Sequence, residues 1–411
     1  MIFLSSKVMQ RHYRATQFSD TIKICWNDSS SPSVFHNYWL RDHCQCSACV
    51  HPSNKQKLHS SGDVKVSAKP AIEIAGKNLK IKWQKGSLRT DLEKTHESVF
   101  DLDWLKRHSY SPKPTSNLDN SFNSQKLVKL WDKDVYEKEK YEVDYNDITS
   151  NNPAGLSKTL DMIKKFGLVF LKNVPTEGRK LNPDSETETI SVEEVAKIFG
   201  PIRETFYGKS WDVKIVPEAK NIAYTNLDLG LHMDLLYFEA PPGLQYLHSL
   251  KNSVKGGTSI FLDSFKAVEY LKQISPESYE ILKSEYITFH YENDNHNYHY
   301  QKKIIDTSNP NEYLQVNYSP PFQGPIIFEN NNKIEKFYKS LFEFEQILKM
   351  PGMIFKYRLN PGDLVIFHNR RVFHGRTSFD AVGGERHFKG TYTDWDDFKD
   401  LERRSNFEEQ E

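Results

Sequence analysis

Alternating apolar and polar residues mark the N-terminal part of the chain: Thr21-Ile22-Lys23-Ile24-Cys25-Trp26, Ala71-Ile72-Glu73-Ile74 and Leu79-Lys80-Ile81-Lys82-Trp83. A period of two puts every second side chain on one face, so each run predicts a half-buried β-strand. Turn-forming clusters separate the runs, and residues 1–108 read as a small β-rich domain ending in a short helix near 101–108. Residues 109–140 read as a linker, richest in Ser, Pro and Asn over 109–124. The period then changes to that of a helix at 154–166, which runs into the apolar strand Leu168-Val169-Phe170-Leu171. A second short helix is expected at 192–199. Strands dominate from there, interrupted by helices at 265–274, 276–284 and 332–348, and the acidic stretch 394–411 reads as a terminal helix. Residues 141–411 thus form a second domain, mainly β with flanking helices.

Bulk properties narrow the function classes. At 411 residues the chain is long enough for two or three domains. A formal net charge of zero gives no sign of a nucleic-acid partner or a polybasic membrane patch. No apolar run approaches the roughly 20 residues of a membrane span. The start of the chain carries Lys7, Arg11 and Arg14 but no acid before Asp20. That suits a cytoplasmic protein, with a mitochondrial presequence as the alternative.

Chemistry enters at Gly230-Leu231-His232-Met233-Asp234 and, far downstream, at Phe373-His374-Gly375-Arg376. Two imidazoles and one carboxylate are the 2-His-1-carboxylate facial triad of non-haem Fe(II) oxygenases, which leaves one face of the metal open for a cosubstrate and O₂. Residues two apart on a strand share a face, so His232 and Asp234 are expected to project together, with Leu231, Met233 and Leu235 turned away. His374 is expected to close the apolar strand Leu364-Val365-Ile366-Phe367. Two such strands can meet in a double-stranded β-helix, or jelly roll. A bare His-x-Asp also suits a hydrogen-bonded core or loop pair; the downstream strand and the Arg after it tip the balance.

That Arg is Arg386. A guanidinium is a planar fork that grips a carboxylate through two hydrogen bonds, as the distal carboxylate of 2-oxoglutarate would require. Arg386 and Tyr392 fall on one face of the alternating run Arg386-His387-Phe388-Lys389-Gly390-Thr391-Tyr392. Arg376 and Arg371 compete for the role. Separately, Cys44-Gln45-Cys46-Ser47-Ala48-Cys49 crowds three thiols into six positions, which suits a structural zinc ion. The fourth ligand is open among His43, His51, His59 and His96.

The motifs Asn37-Tyr38-Trp39-Leu40-Arg41-Asp42-His43-Cys44, Phe206-Tyr207-Gly208-Lys209-Ser210-Trp211 and Tyr392-Thr393-Asp394-Trp395 occur in this order. Through them, nearly the whole chain resembles the gamma-butyrobetaine dioxygenase and trimethyllysine dioxygenase family, TauD-like Fe(II)/2-oxoglutarate hydroxylases of carnitine biosynthesis. The resemblance implies a jelly-roll catalytic core with iron on His232, Asp234 and His374, and 2-oxoglutarate on Arg386 near Ser259. It also implies zinc on Cys44, Cys46, Cys49 and His96, ascorbate as reductant, and a homodimer. Tyr207, Trp211, Tyr224 and Tyr392 match the family's aromatic cage for a trimethylammonium group. Such a cation donates no hydrogen bond and is read by ring faces. Asn221 matches the residue that meets the carboxylate of gamma-butyrobetaine, which implies hydroxylation to L-carnitine; the alternatives are hydroxylation of trimethyllysine or of a related betaine, and a non-catalytic betaine-binding protein. Two departures stand out. Ser319, in Tyr318-Ser319-Pro320-Pro321, replaces an Asn of the family, and Met233 replaces the usual Thr between His232 and Asp234.

Overall fold

The chain divides into two units, residues 1–123 and 124–411. The structure is a computed structural model describing residues 13–26, 31–66, 69–88, 95–111, 127–139, 141–150, 153–180, 188–215, 222–308, 313–328 and 330–408. In the first unit, strands Arg14–Gln17, Thr21–Cys25 and Ser33–His36 form one antiparallel sheet. Strands Ala71–Ala75, Asn78–Trp83 and His96–Asp101 form another. The alternation seen in sequence becomes burial: Ile22, Ile24, Leu79, Ile81 and Trp83 meet Phe35 and Phe100 in one core. The helix Leu102–Arg107 starts where the Asp101 side chain accepts the Trp104 N–H, a conventional N-cap.

Two sheets build the second unit. The larger runs in the order Ser210–Lys214, Arg386–Thr393, Leu244–Asn252, Leu364–His368, Leu168–Lys172, Glu142–Asp144. The smaller runs Leu229–His232, Val372–Arg376, Ser259–Asp263, Phe355–Tyr357. Only the edge strand Glu142–Asp144 pairs in parallel; the other pairings in these sheets are antiparallel. The sheets face each other through rings, with Phe261 lying 5.6 Å from Phe170 and 5.9 Å from Phe367. Helices Pro153–Phe166 and Ser191–Phe199 join the core of the larger sheet. Helices Ser264–Ile274, Pro276–Ser284 and Asn332–Leu348 pack around Leu262 and Phe373 of the smaller one. The terminal helix is Trp395–Glu408. Among the described residues no helix is long and apolar enough to cross a membrane.

One expectation needs correction. Residues 127–139 are part of the second unit rather than a linker. Trp131 and Tyr136 are fully buried, donating to the carbonyls of Phe166 and Leu168 at 2.7 Å each. Two large aromatic side chains with satisfied polar tips outweigh the charged residues that surround them in sequence.

Candidate active site

His232 and His374 are direct partners in the ladder between strands Leu229–His232 and Val372–Arg376, with ring centroids 4.3 Å apart. This differs from both geometric expectations. The first strand stops at His232, so Asp234 reaches the site from a bend, not from the same face of a strand. Leu235 takes a left-handed φ of 60° just after it, a conformation that costs a non-glycine residue free energy. Asn369 holds the bend: its Oδ1 accepts the Asp234 N–H and its Nδ2 donates to the Asp234 carbonyl, both at 3.0 Å. His374, for its part, does not close the strand Leu364–His368. A polar turn intervenes, and His374 sits mid-strand in the opposite sheet. The residue after it is glycine because a Cβ there would lie 2.5 Å from the Leu229 carbonyl oxygen.

One donor atom from each of His232, Asp234 and His374 lies within 4.8 Å of the others. Asp234 Oδ1 is 3.3 Å from His232 Nε2, and Oδ2 is 3.9 Å from His374 Nε2. His232 Nδ1 lies 2.9 Å from the Gly230 carbonyl and must donate to it, which leaves the Nε2 lone pair facing Asp234. Burial and the neighbouring His232 push the His374 imidazole down to about 3, so it is neutral at physiological pH. Burial alone would raise Asp234. The close imidazoles of His232 and His374 and the hydrogen bond from the Tyr392 hydroxyl outweigh it and hold the carboxyl well below the usual range. The cluster thus presents a neutral His374 imidazole, the Nε2 atom of His232 and an ionised carboxylate.

Two cavities meet at this cluster. Tyr207, Trp211, Tyr224 and Tyr392 line the first, together with Tyr237 and Phe322. The Trp211 and Tyr392 rings stack at 4.3 Å, and Tyr207 lies 6.1 Å from Trp211. Burial and the charge of Asp234 push the Tyr224 phenol up to about 12, keeping it neutral. The second cavity holds Gln245, Ser259, His374, Arg376 and Arg386. His232, Asp234 and Trp211 line both.

The three arginines separate cleanly. Arg371 is buried in a two-pronged ion pair with Asp263, at 2.9 and 2.8 Å. Arg376 grips backbone carbonyls. Arg386 is buried with its Nε unsatisfied, and no described carboxylate pairs with it. Its guanidinium lies 3.9 Å over the Phe388 ring. Burial, then repulsion from Arg376 and Arg358, push it down to about 9. Holding a buried cation without a counter-charge carries a desolvation cost.

Some residues escaped sequence reasoning. Gln245 Nε2 and the Tyr392 hydroxyl each donate to Asp234 Oδ2 at 2.8 Å. No local pattern announces Gln245 or Asn369, because their partner lies on another element. Tyr237 and Phe322 complete the aromatic wall. Asn221 lies outside the described residues. Ser319 is buried with its hydroxyl unpartnered, and Pro321 and Phe322, rather than Ser319, line the aromatic cavity.

In the first unit, Cys44, Cys46, Cys49 and His96 converge, with His96 Nε2 at 3.2, 3.6 and 3.6 Å from the three sulfurs. The other candidates are engaged elsewhere: His43 Nδ1 meets the Trp39 carbonyl, His51 meets Ser53, and His59 lies beside Asp42. A hydrogen bond from Cys44, then those from His96 and Arg41, hold the Cys49 thiol well below its ordinary range.

Comparison with known proteins agrees with this arrangement. Residues 125–392 match the model of the taurine catabolism dioxygenase TauD, TfdA family, and residues 13–106 that of the gamma-butyrobetaine hydroxylase-like N-terminal region. Dioxygenase str8 of Strobilurus tenacellus is 38% identical, covering 89% of this chain and 83% of the relative. Trimethyllysine dioxygenase of Meyerozyma guilliermondii is 28% identical, covering 96% and 95%. Gamma-butyrobetaine dioxygenase of Homo sapiens is 29% identical, covering 91% and 92%.

Proposed function

Since the chain belongs to the TauD, TfdA family and is an Fe(II)/2-oxoglutarate-dependent dioxygenase, we propose that it hydroxylates a small quaternary-ammonium acid, with gamma-butyrobetaine as substrate and L-carnitine as product. The observation that carries this reading is the set of rings of Tyr207, Trp211, Tyr224 and Tyr392 around the cavity that opens on His232 and Asp234. Ring faces attract a cation that water solvates poorly, by about 0.5 to 2 kcal/mol per contact. Two relatives of similar identity, named for gamma-butyrobetaine and for trimethyllysine, make trimethyllysine the second substrate to test.

The residues fit the cofactor. His232, Asp234 and His374 would hold Fe(II), because their converging donor set matches a facial triad. Ferrous iron there, with 2-oxoglutarate, supplies oxidation of an unactivated C–H bond by O₂, with release of succinate and CO₂. Arg386 would take the distal carboxylate of 2-oxoglutarate, with Ser259 on the same cavity wall. The aromatic wall would seat the ammonium group and keep water away, and Asn221 would meet the substrate carboxylate. Together they would select which carbon faces the triad, an effect of orientation rather than of acid–base catalysis. Cys44, Cys46, Cys49 and His96 would hold a structural zinc, a closed set of four ligands.

We read the facing sheets of the second unit as a jelly roll. Numbered along the chain from Ser210–Lys214, the first strand lies beside the eighth, the eighth beside the third and the third beside the sixth. The second, seventh, fourth and fifth follow one another in the smaller sheet, an eight-stranded double-sheet order.

The test is turnover by the full-length protein with Fe(II), 2-oxoglutarate, O₂ and ascorbate, comparing gamma-butyrobetaine with trimethyllysine. Succinate formation stimulated by gamma-butyrobetaine, with carnitine as product, is expected. A preference for trimethyllysine would overturn the substrate assignment, and stimulation by neither would remove the betaine reading.

A further inference from the structure

Arg376 lies two residues beyond His374 on one strand, so both side chains leave it on the same face. It is buried and lines the cavity that holds Arg386 and Ser259. Its hydrogen bonds nonetheless run to backbone. Nη1 donates to the Ala223 carbonyl at 3.2 Å, and Nη2 to those of Thr225 and Leu227 at 2.9 and 2.8 Å. These carbonyls belong to a single stretch, which carries Tyr224 and leads into strand Leu229–His232. The Phe379 ring backs the guanidinium at 4.9 Å.

No described carboxylate lies within ion-pair distance of Arg376, and the same is true of Arg386. Two guanidinium charges therefore share one enclosed space. Both line one cavity, so the two like charges repel across it. A carboxylate entering beside Arg386 would offset that repulsion.

We propose that Arg376 is a positioning residue that latches the Tyr224 segment to the wall of the Arg386 cavity, coupling dicarboxylate binding on one side of the triad to cation binding on the other. The proposal rests on the reading that Tyr224 faces the substrate cation. A dicarboxylate beside Arg386 stabilises the charged latch, and the latch holds the Tyr224 ring in the aromatic wall. Linkage makes the effect reciprocal, so each ligand strengthens the other by the same factor.

Two measurements test the coupling. Arg376→Lys keeps the charge, but a single ammonium lacks the planar fork that spans three carbonyls. Amide hydrogen exchange is followed across residues 222–231 in the Fe(II)-loaded protein under nitrogen, with and without 2-oxoglutarate. In the wild type, 2-oxoglutarate is expected to slow exchange in this segment by about tenfold. In Arg376→Lys the segment exchanges faster and no longer responds, while residues 164–172 exchange as before. In binding titrations of the Fe(II)-loaded wild type under nitrogen, 2-oxoglutarate is expected to tighten gamma-butyrobetaine about tenfold and gamma-butyrobetaine to tighten 2-oxoglutarate by the same factor, whereas in the variant both factors fall to within about twofold of one.

Unchanged exchange over 222–231, or a variant that keeps the wild-type coupling factor between the two ligands, would overturn the latch. Should Arg376→Lys fail to fold, Arg376→Gln, with two donors left, takes the same two measurements. If the wild type turns over neither gamma-butyrobetaine nor trimethyllysine, the proposed function fails, while the exchange response still decides the latch.

Discussion

The Tyr392 hydroxyl donates to Asp234 Oδ2 at 2.8 Å while the Tyr392 ring stacks on Trp211 at 4.3 Å. One side chain thus serves the carboxylate of the His232, Asp234 and His374 cluster and the aromatic wall at once. Tyr392→Phe separates the two duties. It keeps the ring and removes the bond, so Fe(II) affinity is expected to fall by about tenfold, as for other groups that orient a ligand, with KM for the ammonium substrate nearly unchanged. Titration of the apoprotein with Fe(II) under nitrogen measures the first quantity. A raised KM with unaltered iron binding would place the hydroxyl's role on the substrate instead.

Arg386→Met has two opposite consequences. Loss of a charge-assisted fork raises KM for 2-oxoglutarate by about 10- to 100-fold. Removing a buried, unpaired cation relieves a desolvation cost, so the ligand-free protein should melt at an equal or higher temperature than wild type. Thermal melts with and without 2-oxoglutarate read both effects. Lower stability with normal cosubstrate KM would assign Arg386 to the scaffold.

Gly390 faces Trp211 across the ladder, and a Cβ there would sit 2.6 Å from the indole. Gly390→Ala should displace that ring with no demand on backbone conformation. The expected result is a rise of about 2- to 30-fold in KM for the ammonium substrate, equivalent to the loss of one cation–π contact. KM for 2-oxoglutarate should change little. Equal kinetics in the variant would show that Trp211 does not touch substrate.

Metal removal probes the first unit. Purified protein should contain about one equivalent of zinc that survives Cys25→Ser but not Cys49→Ser. Stripping it with a chelator should abolish the near-ultraviolet dichroism of the buried Trp26 and Trp83, because metal binding and folding are coupled in small sites. Protein that is free of zinc yet retains this signal would refute the assignment.

His248 provides a pH dependence. It is buried in strand Leu244–Asn252, and burial pushes its imidazole down to about 4. A base with a folded-state pKa below its unfolded value near 6.5 is stabilising when neutral. Its contribution is full above about pH 6.5 and is lost as pH falls toward 4, where the unfolded chain takes up the proton first. Urea unfolding midpoints should decline across that window, and less steeply in His248→Gln. An identical slope in the variant would exclude His248 as the source.

Much of this was legible from local pattern. The helices begin and end close to where periodicity changes, as at Pro153–Phe166 and Asn332–Leu348, since burial of one face repeats every few residues. The triad's residue types were legible too, because few side chains suit ferrous iron. The bend that carries Asp234 was not. A strand extended through His-x-Asp looks satisfactory locally, and only the Asn369 clamp, 135 residues away, diverts it. The apolar run before His374 likewise concealed a turn that moves the chain from one sheet to the other.

Taken by itself, the order of residues determined the donor set, the cysteine cluster, the aromatic stock and the alternation that makes sheets, all properties of side-chain chemistry and short-range period. Tertiary structure alone decided which arginine stays unpaired, which groups hold Asp234 and which rings wall the cavity. Those outcomes depend on strand order and register, which bring distant residues within hydrogen-bond range and which no local period encodes.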